Sequence, residues 1–195
     1  LTRGTDAPTL VLRDVDLTLA RETSFLADIR TYRLNTDYFP DIVRDILAEK
    51  GIHGGKVGIE QATYALPMLL GDALRETLSP ITLADSTELL GRLRILKSAA
   101  EIRLMEQAAR FAEIGLEACR RFARPGMTEI ALSAEIETAM RRAGSDYWSI
   151  PIELTSGFRT PGGHGTAREK EIAPGDLVHV EFAGVSHRYH ATAIQ

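Results

Sequence analysis

The fold of this chain is decided by the stretch SAAEIRLMEQAARFAEIGLEACRRFA, residues 98–123. Ser98 and Glu101 have the spacing of a capping box, in which the serine accepts from an early helical amide and the glutamate reaches back. Apolar residues then recur at steps of three and four, which predicts a long helix with one buried stripe. The predicted stripe consists of Ile102, Met105, Ala109, Ala112, Leu116, Cys119 and Ala123.

The segments on either side of this helix have different patterns. Residues 1–84 alternate short apolar runs with helical patterns, which is typical of an α/β layer domain. We predict strands at 9–12, 56–59 and 81–83, helices at 40–48 and 64–78, and a connecting helix and linker at 85–97. After residue 123 we predict a Thr128-capped helix ending near Gly144, strands at 149–155, 177–182 and 188–194, and a turn at 184–187.

Composition excludes several classes of protein. The net charge is −4 and no blocks of Lys or Arg occur, so nothing electrostatic favours nucleic acid or an anionic membrane as a partner. A single cysteine, Cys119, excludes an internal disulfide and a thiolate zinc site. No apolar run has the length of a membrane span and no signal peptide is visible, so we expect a cytoplasmic protein. Because Leu1 is not an initiator methionine, we also expect the N-terminus to be truncated.

Ionisable side chains concentrate near the end of the chain. Four of the five histidines lie there, namely His164, His179, His187 and His190. His164 lies between glycines on a predicted loop, and Glu181 lies on a half-buried strand, where a carboxylate has to be paired, bound to a metal or protonated. Each of these residues also has a structural interpretation. Glu181 could form a salt bridge with Arg188, His164 could be an exposed loop residue, and His190 could be hydrogen-bonded within the core. We assign no role to His179 or His187.

The residues alone make only a weak case for a metal site. A hydrolytic metal site needs about three protein ligands and an open position, and the sequence offers only loosely spaced His and Glu candidates. The residues therefore predict a site and leave its reaction open.

Several motifs, in their order along the chain, resemble those of a known superfamily. They are RILKSAAEI at 94–102, RPGMTE at 124–129, Ser156-Gly157, His164-Gly165 and PGDLV at 174–178. This order resembles the "pita-bread" superfamily of peptidase family M24, which contains creatinase, Xaa-Pro aminopeptidase, prolidase and methionine aminopeptidase. The resemblance implies a creatinase-type α/β N-terminal domain at 1–90, truncated at its start. It also implies the first half of an α+β pita-bread catalytic domain at 91–195, incomplete at its C-terminus.

The same resemblance implies roles for particular residues. In the metallopeptidase members, a histidine at the position of His164 binds substrate and helps to move protons, and a metal-binding aspartate stands where this chain has Glu181. A second, bridging aspartate stands where this chain has Thr192, and a neutral hydroxyl is a poor replacement for a carboxylate that holds two cations. The sequence EFAG at 181–184, together with RYHA at 188–191, resembles the metal-independent branch of creatinase and ectoine-hydrolase-like proteins.

The function implied is hydrolysis of a non-peptide C–N bond without a dinuclear metal site and without a cofactor. His164 would be the general base or proton shuttle, Glu181 would orient a cationic group of the substrate, and His190 is a weaker substrate-binding candidate. The first alternative is an Xaa-Pro dipeptidase or aminopeptidase that acts on a dipeptide with two Mn²⁺ or Co²⁺ ions. The second alternative is a non-catalytic pita-bread protein that binds a partner.

The resemblance also implies properties of the whole protein. Enzymes of this type commonly dimerise, so we expect a homodimer in the full-length form. Because half a pita-bread sheet leaves an unpaired edge and an uncovered apolar face, we expect the 195-residue chain alone to be inactive and poorly behaved.

Overall fold

A computed structural model describes residues 7–195 of the chain. The chain divides into two compact units, with the boundary between Ile95 and Leu96. Each unit is described by itself below. The assignment of residues 1–90 to a creatinase-type domain and of 91–195 to a catalytic domain stays a prediction.

The first unit alternates strands and helices, as the sequence pattern predicts. Its elements are β1 (Leu10–Arg13), α1 (Leu17–Thr23), β2 (Ile29–Tyr32), α2 (Phe39–Glu49), β3 (Lys56–Ile59), α3 (Met68–Thr77), β4 (Thr82–Asp85) and α4 (Thr87–Ile95). Strand β1 pairs in parallel with β2, and β3 pairs in parallel with β4. Each parallel pair is connected through a helix, which is the arrangement expected of βαβ units. Leu74, Leu78 and Ile81 form the buried core of this unit.

Helix α3 is shorter than the periodicity predicts, because it begins at Met68 and not at Tyr64. Pro67, at the N-cap, has φ −56° and ψ 146°, an extended conformation. Its ring also disfavours helical geometry in the preceding Leu66. The apolar periodicity of residues 64–66 therefore continues a helical pattern that the backbone cannot follow.

The second unit packs two helices against an antiparallel sheet. Its elements are α5 (Ala99–Phe122), α6 (Glu129–Arg142), β5 (Glu153–Ser156), β6 (Val178–Ser186) and β7 (Tyr189–Ile194), with the strands in the order β5-β6-β7. The predicted capping box at the start of α5 is present. The Ser98 amide donates to Glu101 Oε2 at 2.6 Å, and the Glu101 amide donates to Ser98 Oγ at 3.3 Å.

The buried face of α5 is rotated from the predicted stripe. Its members are Ala108, Phe111, Ala112, Gly115, Ala118 and Cys119, and Ile102 is 43% exposed. Small residues on this face let β6 approach closely. A Cβ added to Gly115 would lie 2.4 Å from Phe182, and one added to Gly184 would lie 2.1 Å from the carbonyl oxygen of Ala108. The stripe was placed by hydrophobicity, whereas the packed face is chosen by fit to the sheet.

Strand β6 is longer than predicted, and the turn that follows it is tighter. The strand continues through Gly184 to Ser186, and the turn consists of His187 and Arg188, with φ of 48° and 67°. Two-residue hairpin turns with positive φ at both positions match the twist of the flanking strands. The prediction of a turn at 184–187 is therefore wrong at its start, because Gly184 is required inside the strand, against α5.

Candidate functional site

The site is built first by the pairing of β5 with β6. This antiparallel pair places Glu153 directly opposite Glu181, and Leu154 opposite Val180. Side chains of directly opposite residues lie on the same face of a sheet, and successive residues alternate between faces. Leu154 and Val180 belong to the buried core that packs on α5, so Glu153 and Glu181 project from the other face.

A loop then brings a histidine to this carboxylate pair. After β5 the chain forms a 3-10 helix, Gly157–Gly162, and returns along β5, where the Leu154 amide donates to the Gly165 carbonyl at 2.8 Å. An isolated bridge also pairs Glu153 with Thr166. These contacts fix His164, so that a ligand atom from each of Glu153, His164 and Glu181 lies within 4.8 Å of the other two. The structure thus brings the two predicted catalytic residues together and adds Glu153.

Glu129, the first residue of α6, anchors the loop that carries His164 through buried hydrogen bonds. It is fully buried and accepts hydrogen bonds from the Ser156 amide at 2.8 Å, the Ser156 hydroxyl at 2.8 Å and the Arg168 amide at 3.1 Å. Arg159 forms an ion pair with the same carboxylate. Burial by itself would raise the pKa of Glu129, but the hydrogen bonds from Ser156, Arg168 and Arg159 outweigh it and lower the pKa.

A second ion pair closes the far end of the loop. Lys170 Nζ lies 2.7 Å from Asp176 Oδ2 and donates to Ser156 Oγ at 2.9 Å. The hydrogen bond from Lys170 and one from the Ala173 amide lower the pKa of Asp176. Both ends of the segment that carries His164 are therefore tied to buried or half-buried carboxylates.

Two cations of the loop that carries His164, Arg159 and Lys170, pair with carboxylates other than Glu153 and Glu181. Within residues 7–195, no lysine or arginine forms an ion pair with either glutamate. Arg188, the alternative partner for Glu181, instead lies over the Tyr147 ring at 4.0 Å and donates to the Tyr147 carbonyl. The salt-bridge interpretation of Glu181 is therefore wrong for the part of the chain that the structure describes.

The face that carries the glutamate pair also has unpaired buried polar atoms. Glu153 Oε2, Thr155 Oγ1 and His179 Nε2 are buried and lack a hydrogen-bond partner among the described residues. Thr155 lies directly opposite His179. Thr155 is two residues from Glu153 along β5, and His179 is two residues from Glu181 along β6, so all four side chains are on the same face of the sheet. Buried polar groups are normally hydrogen-bonded, so these three atoms are open to a partner outside the described residues.

His190 lies elsewhere on the sheet. It stands opposite Val185, whereas Glu181 stands opposite Ile194, four residues further along β7. His190 Nδ1 lies 3.0 Å from the Arg188 carbonyl, to which it donates, and His190 Nε2 lies 3.0 Å from the Ser149 hydroxyl. The structure does not bring His190 to the other two predicted site residues, and its substrate-binding role stays a prediction.

Three side chains of the described residues form one cluster that could hold a cation. Glu153, His164 and Glu181 offer two carboxylates and an imidazole, a donor set that could hold a single divalent ion with open positions. Thr192 is opposite Ala183 on the same face and is exposed, and it adds only a hydroxyl. The unpaired Oε2 of Glu153 leaves one buried acceptor for such a group.

Sequence reasoning did not find Glu153. Its residue type was visible, but its importance depends on the β5–β6 register across an intervening loop of more than twenty residues. The signal that could have found it is a carboxylate in a predicted strand next to a Gly-rich loop, combined with a second carboxylate in the following strand.

Comparison with known proteins places this site in a family context. Residues 103–194 match the model of metallopeptidase family M24. The uncharacterized peptidase YqhT of Bacillus subtilis is 37% identical over 56% of this chain and 30% of its own length. The Xaa-Pro dipeptidase of Pyrococcus horikoshii is 24% identical over 95% of this chain and 49% of its own length, and the creatinase of a Bacillus species is 28% identical over 89% and 43%. The matches support family M24 and do not favour the creatinase and ectoine-hydrolase branch over the prolidase relatives.

Solved structures show the same fold. An Xaa-Pro dipeptidase from Bacillus anthracis superposes with a TM-score of 0.79 at 28% identity, over 100% of this chain and 55% of that one. The prolidase from Pyrococcus horikoshii superposes with a TM-score of 0.80 at 22% identity, over 97% and 51%. The chain thus spans about half of these proteins or less, and the predicted mixed α/β part of a pita-bread architecture is consistent with them. Among residues 7–195, none of the helices combines the length and hydrophobicity that a membrane crossing requires.

Proposed function

We propose that this chain is part of an M24 hydrolase that cleaves a non-peptide C–N bond without a dinuclear metal centre. The observation that carries the proposal is the convergence of His164 and Glu181 on one sheet face, with a neutral Thr192 where a bridging carboxylate would be needed. The chain covers about half or less of its relatives, so the proposal concerns the complete gene product that contains these residues.

The arrangement suits general acid–base catalysis. A water molecule between His164 and the substrate gives its proton to the imidazole as its oxygen attacks the carbon of the C–N bond. The imidazolium then gives that proton to the nitrogen as the C–N bond breaks, so that one water is consumed and no other reactant is needed. Glu181, an acceptor without a cationic partner in the described chain, binds a positively charged group of the substrate and so fixes the reacting carbon near His164.

The test uses the complete gene product after exhaustive dialysis against a chelator. It is assayed on guanidino, amidine and cyclic amidine compounds, with metal content measured in the same sample. We expect turnover without stoichiometric metal and a loss of about 100-fold or more in kcat for His164→Asn. Two bound divalent ions per chain, with activity abolished by chelation, would contradict the proposal.

A second candidate is an Xaa-Pro dipeptidase or aminopeptidase that uses Mn²⁺ or Co²⁺. The observation that favours it is the convergence of Glu153, His164 and Glu181, which could hold an ion. Here the ion would supply Lewis-acid activation of the scissile carbonyl, and the three side chains would hold it. Hydrolysis of an Xaa-Pro dipeptide that depends on added Mn²⁺ or Co²⁺ would favour this candidate, and unchanged metal content in Glu181→Ala would count against it.

The proposal includes the setting of the enzyme. We propose a cytoplasmic homodimer that acts on a small molecule or a dipeptide, without a nucleic-acid or membrane partner. Analytical ultracentrifugation of the complete gene product measures the dimer directly, and a monomer at micromolar concentration would remove that part of the proposal.

A further inference from the structure

We propose that Arg159 is the positioning residue for His164. Its guanidinium closes the base of the Gly-rich loop, so that the imidazole keeps one place above the sheet. The inference rests on the proposed function, in which His164 moves protons, and it deepens that function by assigning the residue that fixes the base. Arg159 acts through the backbone beside His164 and not on the substrate.

The loop around His164 has little rigidity of its own. Gly162, Gly163 and Gly165 surround the histidine, and glycine has more conformational freedom to lose on folding than any other residue. Within the loop, the Gly163 amide donates to the Thr160 carbonyl at 3.3 Å and the Gly165 amide donates to the Gly163 carbonyl at 2.9 Å. These bonds join residues two or three apart, so they shape the turn without joining its two arms at their base.

Arg159 joins the two arms. It lies in the 3-10 helix of the outgoing arm, and its Nη1 forms the ion pair with the buried Glu129. Its Nη2 donates to the Thr166 carbonyl at 2.8 Å, on the returning arm two residues after His164. Thr166 is in turn bridged to Glu153 on β5. The Arg159 side chain is only 13% exposed, so water weakens these charge-assisted bonds little. One guanidinium therefore ties the outgoing arm, the returning arm and α6 together.

The returning arm lies directly against β5. A Cβ added to Gly165 would be 2.2 Å from Thr155 Cγ2, so the backbone of the arm is in close contact with the strand. The bond from the Leu154 amide to the Gly165 carbonyl, at 2.8 Å, depends on that approach. A shift of the arm by about 1 Å would break this bond and move His164, and a misplacement of that size can cost about 100-fold in rate.

The arrangement requires an arginine. A planar guanidinium presents donors in several directions, so it can bond Glu129 and the Thr166 carbonyl at once, whereas a lysine ammonium is a compact point charge on a flexible stem. We expect Arg159→Lys to keep the ion pair with Glu129 and to lose the bond to Thr166. This variant therefore separates the positioning of the loop from the neutralisation of a buried carboxylate.

The first measurement is amide hydrogen exchange in the complete gene product, followed by mass spectrometry with fragmentation to single residues. In Arg159→Lys the Leu154 amide, which bonds Gly165, should exchange at least about tenfold faster. The Ser156 amide, which bonds Glu129, should keep its rate within about twofold. The matched control is Arg142→Lys, an exposed arginine at the end of α6, which should leave both amides unchanged.

The second measurement is the kinetics of C–N bond hydrolysis by the same proteins. In Arg159→Lys we expect kcat to fall about 100-fold while KM stays within about threefold, because Glu181 and not His164 binds the substrate in the proposed function. A merely structural role for Arg159 would instead lower the amount of folded enzyme and leave kcat per folded molecule unchanged. Arg142→Lys should have the kinetics of the unaltered enzyme.

The inference is overturned if Arg159→Lys leaves the exchange of the Leu154 amide unchanged, or raises it no more than that of the Ser156 amide. If Arg159→Lys fails to fold, Glu129→Gln gives the converse test. Arg159 still donates to Thr166 there, so the Ser156 amide should exchange faster and the Leu154 amide should not, and an equal rise at both would reject the inference.

The two proposals fail in different ways. The expected exchange pattern without hydrolysis by the unaltered gene product would reject the proposed function and support the fixing of the loop by Arg159. Hydrolysis by the unaltered gene product with an undiminished kcat in Arg159→Lys would keep the proposed function and reject the positioning role.

Discussion

Replacement of Glu129 by alanine tests how the loop that carries His164 is held. The carboxylate is fully buried and accepts from the Ser156 amide and hydroxyl, the Arg168 amide and the Arg159 guanidinium. Glu129→Ala removes every one of these bonds and leaves the Arg159 charge without its partner. Removing one member of a buried ion pair costs about 3–5 kcal/mol. We therefore expect the free energy of unfolding of the second unit to fall by about 4 kcal/mol at pH 7.

Trp148, the single tryptophan, packs against the core of the second unit and reports on its unfolding. With a urea m-value of about 2 kcal/mol/M, the fluorescence midpoint should fall by about 2 M in Glu129→Ala. The control is Glu137→Ala, an exposed position on the same helix, where we expect a change within about 0.5 kcal/mol. A loss below about 1 kcal/mol in Glu129→Ala would refute the reasoning.

The same carboxylate gives the stability a defined pH dependence. Its pKa is lower in the folded chain than its ordinary value of 4.5, so the folded state holds the charged form more strongly than the unfolded state does. The stabilisation is therefore complete above pH 4.5 and is lost as the pH falls through the lowered folded value. In Glu129→Gln this acid-side loss should shrink, and an identical pH profile in the two chains would contradict the assignment.

The remaining predictions concern packing, capping and thiol reactivity. Gly184→Ala places a Cβ 2.1 Å from a backbone carbonyl of α5 and should cost about 1–3 kcal/mol or more in urea unfolding, whereas Gly162→Ala, with open space around it, should not. The pKa of Glu101 is lowered to about 2, chiefly by the hydrogen bond from the Ser98 amide. The charged carboxylate should therefore stabilise the first turn of α5 fully above pH 4.5, and this stabilisation should be lost as the pH falls towards 2. Amide exchange in that turn measures the loss, and Glu101→Gln should lack this pH dependence. Cys119 is 5% exposed and burial raises its pKa, so it should resist a thiol reagent in the native chain and react at once in urea; rapid native labelling would contradict this.

Local signals in the sequence predicted most of the elements, but they missed α1 and β2 and began β5 four residues early. They predicted the packed faces less well. The Ser98–Glu101 spacing located the start of α5 to the residue, because a capping box depends only on neighbours along the chain. The buried face of α5 was misplaced, because Gly115 and the alanines are buried for their small size and not for their hydrophobicity. The hairpin turn was placed three residues early, since Gly184 is required by the approach of α5 and not by a turn.

The sequence by itself determined helices α2 to α6 and every strand except β2, together with the alternation that separates Glu181 from the core and the Gly-rich loop around His164. These follow from spacing along one segment of chain, where neighbouring residues set backbone conformation and side-chain direction. Only the tertiary structure decided that Glu153 stands opposite Glu181, that Glu129 anchors the loop and that His190 lies apart. The physical reason is that strand register and burial arise between segments far apart in sequence, where pairing and packing choose among partners that local patterns treat as equivalent.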